Sequence, residues 1–431
     1  MNNAKGCSPR SILEVGEVFV AGGMPTITYN PRSQLNLEGQ LRDAIKRLNK
    51  IILVVGATKS GKTVLVRRVL PLDEAIWVEG GAIREEGDFW QEIVNQLGIS
   101  LETSTTIGES AENGTQNEGS AGIKPFGIGA EGKRTASSKD STTRQDGFKR
   151  VETARSASLR VLKERKLTLV VDDFHYMTRE LQSSIVRALK QPVFDRLKVV
   201  LLAVPHRVAD AVKAESEIEG RVASVAVPDW HNPELVDIAN SGFDALNVDV
   251  DAVEVQHLVD GAFSSPHLLQ DLCSLLCKLG NVEETVQSSV ALTPPKPLDI
   301  LFKELASHMQ PTAFSRIKKG PDRTNRLERA LRNGSGSCDI YEAVLYSIIE
   351  TGPASVVTYN ELSAKIKEVL QPSAVPQQHE VTRVLEQMAK LAAEVGGAVP
   401  PLDYDKDLKV MHITDPFFRF YLKWGVERTW A

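Results

Sequence analysis

At 431 residues, with 42% hydrophobic and 25% charged residues, the chain has the composition of a globular protein of about three domains. A formal net charge of −5 gives no overall attraction to nucleic acid or anionic lipid, and no apolar stretch is long enough for a membrane-spanning helix. Four cysteines do not suggest a disulfide framework and no apolar run of signal-peptide type follows the N-terminus, so the expected compartment is the cytoplasm.

The first 35 residues read as an N-terminal arm, in which "VFVAGGMPTI" is either a strand or an extended segment. A nucleotide-binding domain is expected over residues 36–230. Its first strand is "IILVV", a β-branched run suited to burial on both faces of a parallel sheet. Gly56, Ala57, Thr58, Lys59, Ser60, Gly61, Lys62 and Thr63 follow in the pattern G-x-x-x-x-G-K-S/T, and "KTVLVRRVL", which includes Val64, reads as the next helix. Strand, glycine loop and helix are the context that lets backbone N–H groups and a helix N-terminus cradle phosphate. Lys62 would reach the β- and γ-phosphates of ATP or ADP, and the Thr63 hydroxyl would ligate Mg²⁺.

"AIWVEGG" and "DFWQEIVNQLG" give the next strand and helix. Residues 103–145, rich in Gly, Ser and Thr, read as a flexible insertion with too little apolar surface to offset ordering entropy. Within it, the alternation in "FGIGAEGK" suits a hairpin formed on assembly or with a partner. "KLTLVVDDFHYM" then supplies a carboxylate strand. Asp172 would complete the Mg²⁺ shell and Asp173 would orient the attacking water, unless the pair simply caps a strand end. A further strand, "LKVVLLAVPHR", ends in Arg207, placed to sense the γ-phosphate or else exposed to solvent. Arg221 precedes "VASVAV", an expected edge strand.

A helical lid is expected over residues 231–292, with Cys273 and Cys277 one turn apart on an apolar helix face. Residues 293–338 read as a basic linker: the stretch from Phe314 to Gly334 holds about seven basic residues against two acidic ones. Residues 339–431 show three amphipathic helices, the second with Asn360 as expected N-cap, then a hairpin and an aromatic closing helix. That pattern is a winged helix, and Phe417, Phe418, Phe420, Tyr421 and Trp424 are expected in its own core. From Tyr341 onward about 9 basic residues face about 12 acidic ones, the wrong sign for a phosphate footprint.

The order of P-loop, apolar run ending in Asp-Asp, strand ending in Arg, and "EGRV" before a strand resembles AAA+ ATPases. "VVDDFHY" and "LLAVPHR" are closer to their STAND branch, and "HITDPFFRFYLKW" resembles the end of prokaryotic, archaeal-type ATPases with a C-terminal winged helix. The resemblance implies an α/β P-loop NTPase fold with a parallel five-stranded sheet, a helical lid and ATP-dependent oligomerisation. It implies that Arg221 is an arginine finger acting on a neighbour's nucleotide, and that Tyr29, Pro31 and Arg32 lie near the base or ribose. In the lid, "SSP" ending in Pro266 stands where STAND proteins show Gly-x-Pro, and His267 stands where many AAA+ proteins place a sensor arginine.

Two functions compete. One is a switch that changes shape or assembles as a homo-oligomer with ATP, acts on a protein partner or effector, and resets by slow hydrolysis, a scheme compatible with stress or defence signalling. The other is a DNA-associated ATPase, similar to origin-recognition or transposition regulators, whose winged helix binds duplex DNA.

Overall fold

The structure, a computed structural model, describes residues 11–105, 148–204, 219–309, 311–322, 326–395 and 400–430. Arg207 and the "FGIGAEGK" segment lie outside the described residues.

Apolar runs free of polar alternation become strands covered on both faces. The central sheet consists of β1 (Ile51–Gly56), β2 (Ala75–Glu79), β3 (Thr168–Asp172), β4 (Val199–Ala203) and β5 (Val222–Val227), in the order β2-β3-β4-β1-β5. All neighbours are parallel, with Ile51 opposite both Val199 and Val222, and Ala75 opposite Thr168. β5 is an edge strand, as its alternating sequence predicts.

One face of the sheet is covered by α1 (Leu37–Lys46) and α2 (Lys62–Val69), the other by α3 (Glu86–Leu97), α4 (Ala154–Glu164) and α5 (Arg179–Phe194). Phe89, Ile93, Leu162, Ile185 and Leu189 fill the second face without detectable exposure, which fixes the sheet rigidly beneath the P-loop. The insertion begins later than its composition suggests: Glu102–Thr105 pairs antiparallel with Phe148–Val151 in a two-stranded ladder. Backbone pairing, which a Gly/Ser/Thr-rich sequence does not advertise, therefore brings the two ends of the insertion together.

The lid contains α6 (Asn232–Leu246), α7 (Ala252–Gly261), α8 (Pro266–Leu279) and α9 (Leu298–Met309), and so runs beyond the expected boundary at 292. Cys273 and Cys277 are core residues of α8. The N-terminal arm forms a short helix, Val15–Val18, and packs on this lid rather than on the sheet. Phe19 meets Phe243 edge-on at 5.2 Å, and Gly242 is required there because a Cβ would lie 2.2 Å from the Phe19 ring.

The segment from 293 to 338 is not a linker. After α9, its helix α10 (Thr312–Lys319) buries Ala313, Phe314 and Ile317 in the C-terminal core. Its cations are largely paired internally: Arg316 with Glu394, Lys318 with Glu342, Lys319 with Asp322, Arg326 with Asp339 and Arg329 with Glu380. Its basic composition reflects a folded surface complementary to the acidic C-terminal unit.

That unit continues with α11 (Ile340–Glu350), β6 (Val356–Thr358), α12 (Tyr359–Val369), α13 (Gln378–Val395), the hairpin β7 (Leu402–Asp405) and β8 (Val410–Ile413), and α14 (Pro416–Trp424). The three strands form an antiparallel sheet in the order β6-β8-β7. The N-cap of α12 is Thr358 rather than Asn360, because Thr358 and Glu361 satisfy each other's backbone N–H groups as a capping box. α14 divides its aromatics between two cores. Phe418 packs with the C-terminal unit, whereas Phe420 is buried in the lid cluster, 5.5 Å from Phe302, and Phe417 and Trp424 border that cluster. The closing helix thus joins the C-terminal unit to the lid.

Candidate nucleotide site

The P-loop crosses from β1 to α2 with two glycines that geometry demands. A Cβ on Gly56 would lie 2.7 Å from the Val227 carbonyl oxygen, and Gly61 sits at φ +90°. Lys62 is 6% exposed, and its Nζ donates to the carbonyls of Gly56 at 3.1 Å and Ala57 at 2.7 Å. Burial lowers the pKa of this amine, while Asp173 and Asp172 oppose the shift. The Thr63 hydroxyl donates to Asp172 Oδ2 at 2.8 Å, joining two residues 109 positions apart.

Asp173 follows Asp172 in a left-handed conformation, φ +49°, which turns its side chain into the cavity. Gly80, after β2, accommodates the tight passage: a Cβ there would lie 2.4 Å from the Asp173 carbonyl oxygen. Burial, then the neighbouring Asp172 charge, pushes the Asp173 carboxyl up to about 6, with Glu79 adding to the shift and Lys62 opposing it. The set suits Mg²⁺, which binds through few protein oxygens and completes its shell with phosphate and water. Thr63 and Asp172 supply such oxygens, and no cluster of three His, Cys, Asp or Glu suited to a metal occurs among the described residues.

These groups open into a cavity of about 670 Å³. Thr58, Lys59, Ser60, Gly61, Lys62, Thr63 and Val64 form one end, while Met24, Pro25, Tyr29, Pro31 and Ile238 wall the other with mainly apolar surface. Tyr29 and Pro31 line this wall, with the Tyr29 hydroxyl donating to Glu38 at 2.8 Å.

Arg32 borders the cavity but is a brace. It is 2% exposed, donates through Nε to Glu234 at 3.0 Å, and reaches the carbonyls of Pro228 and Asp229 at 2.7 Å each. Its guanidinium also lies over Trp230, whose Nε1 donates to the Ser60 carbonyl at 2.9 Å. The arm is therefore tied through β5 and Trp230 to the P-loop. With its donors engaged in this way, Arg32 is not a base-reading group.

Pro266 and His267 both line the cavity at the first turn of α8. The preceding Ser264, in the place of the STAND glycine, is at φ +58°, a left-handed conformation that glycine adopts more readily. His267 stands between both ends of the chain: Gly22 packs against its ring, and Phe417 meets it edge-on at 5.1 Å. Burial lowers the His267 pKa, opposed by Asp271. Arg221 lies elsewhere, at the turn leading into β5, with its guanidinium 5.5 Å from the Phe194 ring centre. Parallel strands place that turn at the edge of the sheet opposite the P-loop.

Sequence inspection missed Asp415. It lines the cavity and accepts from Lys59 Nζ at 3.0 Å, while the same ammonium lies 4.0 Å from the Phe417 ring centre. Asp415 also caps α14 through the Phe417 N–H at 2.8 Å. The Asp-Pro step announces a helix start; nothing local in it announces a partner in the P-loop.

No family profile and no curated protein matches the sequence. Among solved structures, the Walker-type ATPase of Pyrococcus abyssi matches with a TM-score of 0.51 at 12% identity, covering 90% of this chain and 94% of that one. The likeness shows the fold, an α/β P-loop fold with a parallel five-stranded sheet. The ORC2 protein of Aeropyrum pernix matches at 13% identity with a TM-score of 0.49, covering 94% of this chain and 95% of that one. The Cdc6 protein of Pyrobaculum aerophilum matches at 13% identity and 0.42, covering 95% and 97%. The P-loop fold accounts for the strand order and for the position of the cavity at the carboxyl ends of β1 and β3. No helix among the described residues is long and apolar enough to cross a membrane.

Proposed function

We propose that the chain is an ATP-binding, Mg²⁺-dependent ATPase used as a switch, in which the C-terminal unit, a winged helix, is held on the P-loop until nucleotide releases it. The observation that carries this reading is the Lys59–Asp415 ion pair inside the nucleotide cavity. A phosphate chain entering the P-loop brings negative charge to the ammonium that Asp415 holds, and the two anions compete for it. The helix order α11, α12, α13 and the β7–β8 hairpin support the winged-helix assignment.

In this scheme the residues divide the work. Lys62 and the P-loop amides bind phosphate, Thr63 and Asp172 hold Mg²⁺, and Asp173 orients water. Bound Mg²⁺ would supply charge neutralisation on the phosphates. Arg207 and Arg221 would act on the γ-phosphate, the latter from a neighbouring copy. Pairing of the basic segment's own cations with Glu394, Glu342 and Glu380 weighs against a C-terminal unit that grips DNA.

The test is the solution mass and scattering radius of the full chain without nucleotide, with ADP, and with ATP plus Mg²⁺. Expansion or assembly with ATP alone is the expected result. Identical mass and radius in all three states, with nucleotide binding confirmed, would refute the switch.

A further inference from the structure

The edge of the central sheet opposite the nucleotide cavity carries a row of cations of which the proposed switch uses Arg221 alone. Five parallel strands in register bring their leading residues to one edge. Arg165 and Lys166 precede β3, Arg196 and Lys198 precede β4, and Arg47 and Lys50 precede β1. Arg221 precedes β5 and closes the row. Arg47, Arg165, Lys166 and Arg196 are exposed, whereas Lys50, Lys198 and Arg221 are half-buried.

Side-chain and backbone contacts tie these leads together. Asn49 donates to the Phe194 carbonyl, and Arg221 lies over the Phe194 ring. The Leu169 N–H donates to the Lys198 carbonyl at 3.0 Å. None of the seven cations forms an ion pair among the described residues, in contrast to the basic segment of the C-terminal unit. Asp195 is an exposed acid within the row, Glu164 beside Arg165 is exposed and paired with Arg160, and Asp73 and Glu74 mark the row's end before β2. Two large apolar side chains stand among the cations, Leu48 at 46% and Phe194 at 54% exposure.

We propose that this edge is a docking surface for the phosphate backbone of nucleic acid. Adjacent strands lie about 4.8 Å apart, so four cation-bearing strand ends span roughly 15 Å. Over that length one strand of a duplex carries about four phosphates. Lysine and arginine without carboxylate partners suit counterion release, and an exposed ring beside an arginine suits contact with sugar or base. Two apolar side chains among seven cations do not make the hydrophobic centre of a stable interface with a second copy. The surface carries no base-reading pattern, so the contact is independent of sequence. Binding here is independent of the C-terminal unit.

The experiment measures anisotropy of a labelled duplex of about 30 base pairs with the full chain, without nucleotide, across a salt series. Four phosphate contacts give a log–log slope near −3.6, from about −0.9 per contact. Lys50→Gln/Arg165→Gln/Arg196→Gln, at positions with no ion pair to lose, should make the slope shallower by up to about 2.7, about 0.9 per cation lost, and weaken binding tenfold or more at moderate salt. Lys318→Gln/Lys319→Gln in the C-terminal unit should leave the slope unchanged. Absence of salt-dependent binding by the unaltered chain, or equal binding by the triple variant, overturns the proposal. So does a triple variant that loses self-association while retaining the duplex, since that assigns the edge to a second copy. Circular dichroism of the triple variant separates each result from misfolding.

Discussion

Replacing Asp415 by Asn isolates the ion pair from every other role of that residue. Asn caps a helix as well as Asp, so the bond to the Phe417 N–H survives. What is lost is the charge facing Lys59 across 3.0 Å, between side chains 27% and 29% exposed. Two unit charges at that distance attract by roughly 5 kcal/mol at an effective dielectric of about 20. Desolvation, side-chain ordering and access of water reduce the net value to about 1 kcal/mol. That is roughly a fivefold shift between the closed and released forms. Titration calorimetry should therefore find Mg²⁺–ATP bound up to about fivefold more tightly by Asp415→Asn. Small-angle scattering without nucleotide should find a larger radius. The second measurement is essential, because removing a carboxylate from the cavity would favour any polyanion. An unchanged radius together with unchanged affinity would refute the argument that Asp415 restrains the site.

Arg32→Met leaves Glu234 buried without its guanidinium, a loss of about 3–5 kcal/mol, and should lower the melting temperature by several degrees; an unaltered melt would show that the arm is not braced there. Asp173→Asn should retain ATP but hydrolyse it more slowly. Because the Asp173 carboxyl is raised to about 6, its ionised form is lost as pH falls through that value, so wild-type turnover should fall there and the variant's profile should be flat; parallel profiles would remove Asp173 from catalysis. Thr105 is paired with Phe148, so replacing residues 106–147 by a two-residue turn should preserve far-UV circular dichroism and ATP affinity; an insoluble product would contradict a surface excursion.

The nucleotide domain was legible because its signals are local. Doubly buried strands leave unbroken apolar runs such as "IILVV", and the P-loop's backbone demands leave glycines at fixed offsets. Local signals also located the C-terminal elements, though Thr358 prevailed over Asn360 because the better cap depended on Glu361 three residues on. Long-range relations were not legible. Basic residues from 316 to 329 read as a linker, since sequence order does not display the acids on α11 and α13 that pair with them. The α14 aromatics looked like one stripe, yet successive faces of a helix entered two cores. Arg32 carries the chemistry of a ligand contact, and only its burial against Glu234 and Trp230 identifies it as a brace. The leading residues of β1, β3, β4 and β5 are far apart in the chain, so their cations form a row only after the sheet is assembled.

Lys59 and Asp415 are 356 positions apart. At about 5–20 residues per second, the ribosome makes the second roughly 20–70 s after the first. For that interval the nascent P-loop is without the carboxylate that later contends with phosphate for its lysine. A newborn chain can therefore meet cellular nucleotide before it can oppose it. The ligand carried by the first finished molecules then records synthesis as well as any later stimulus.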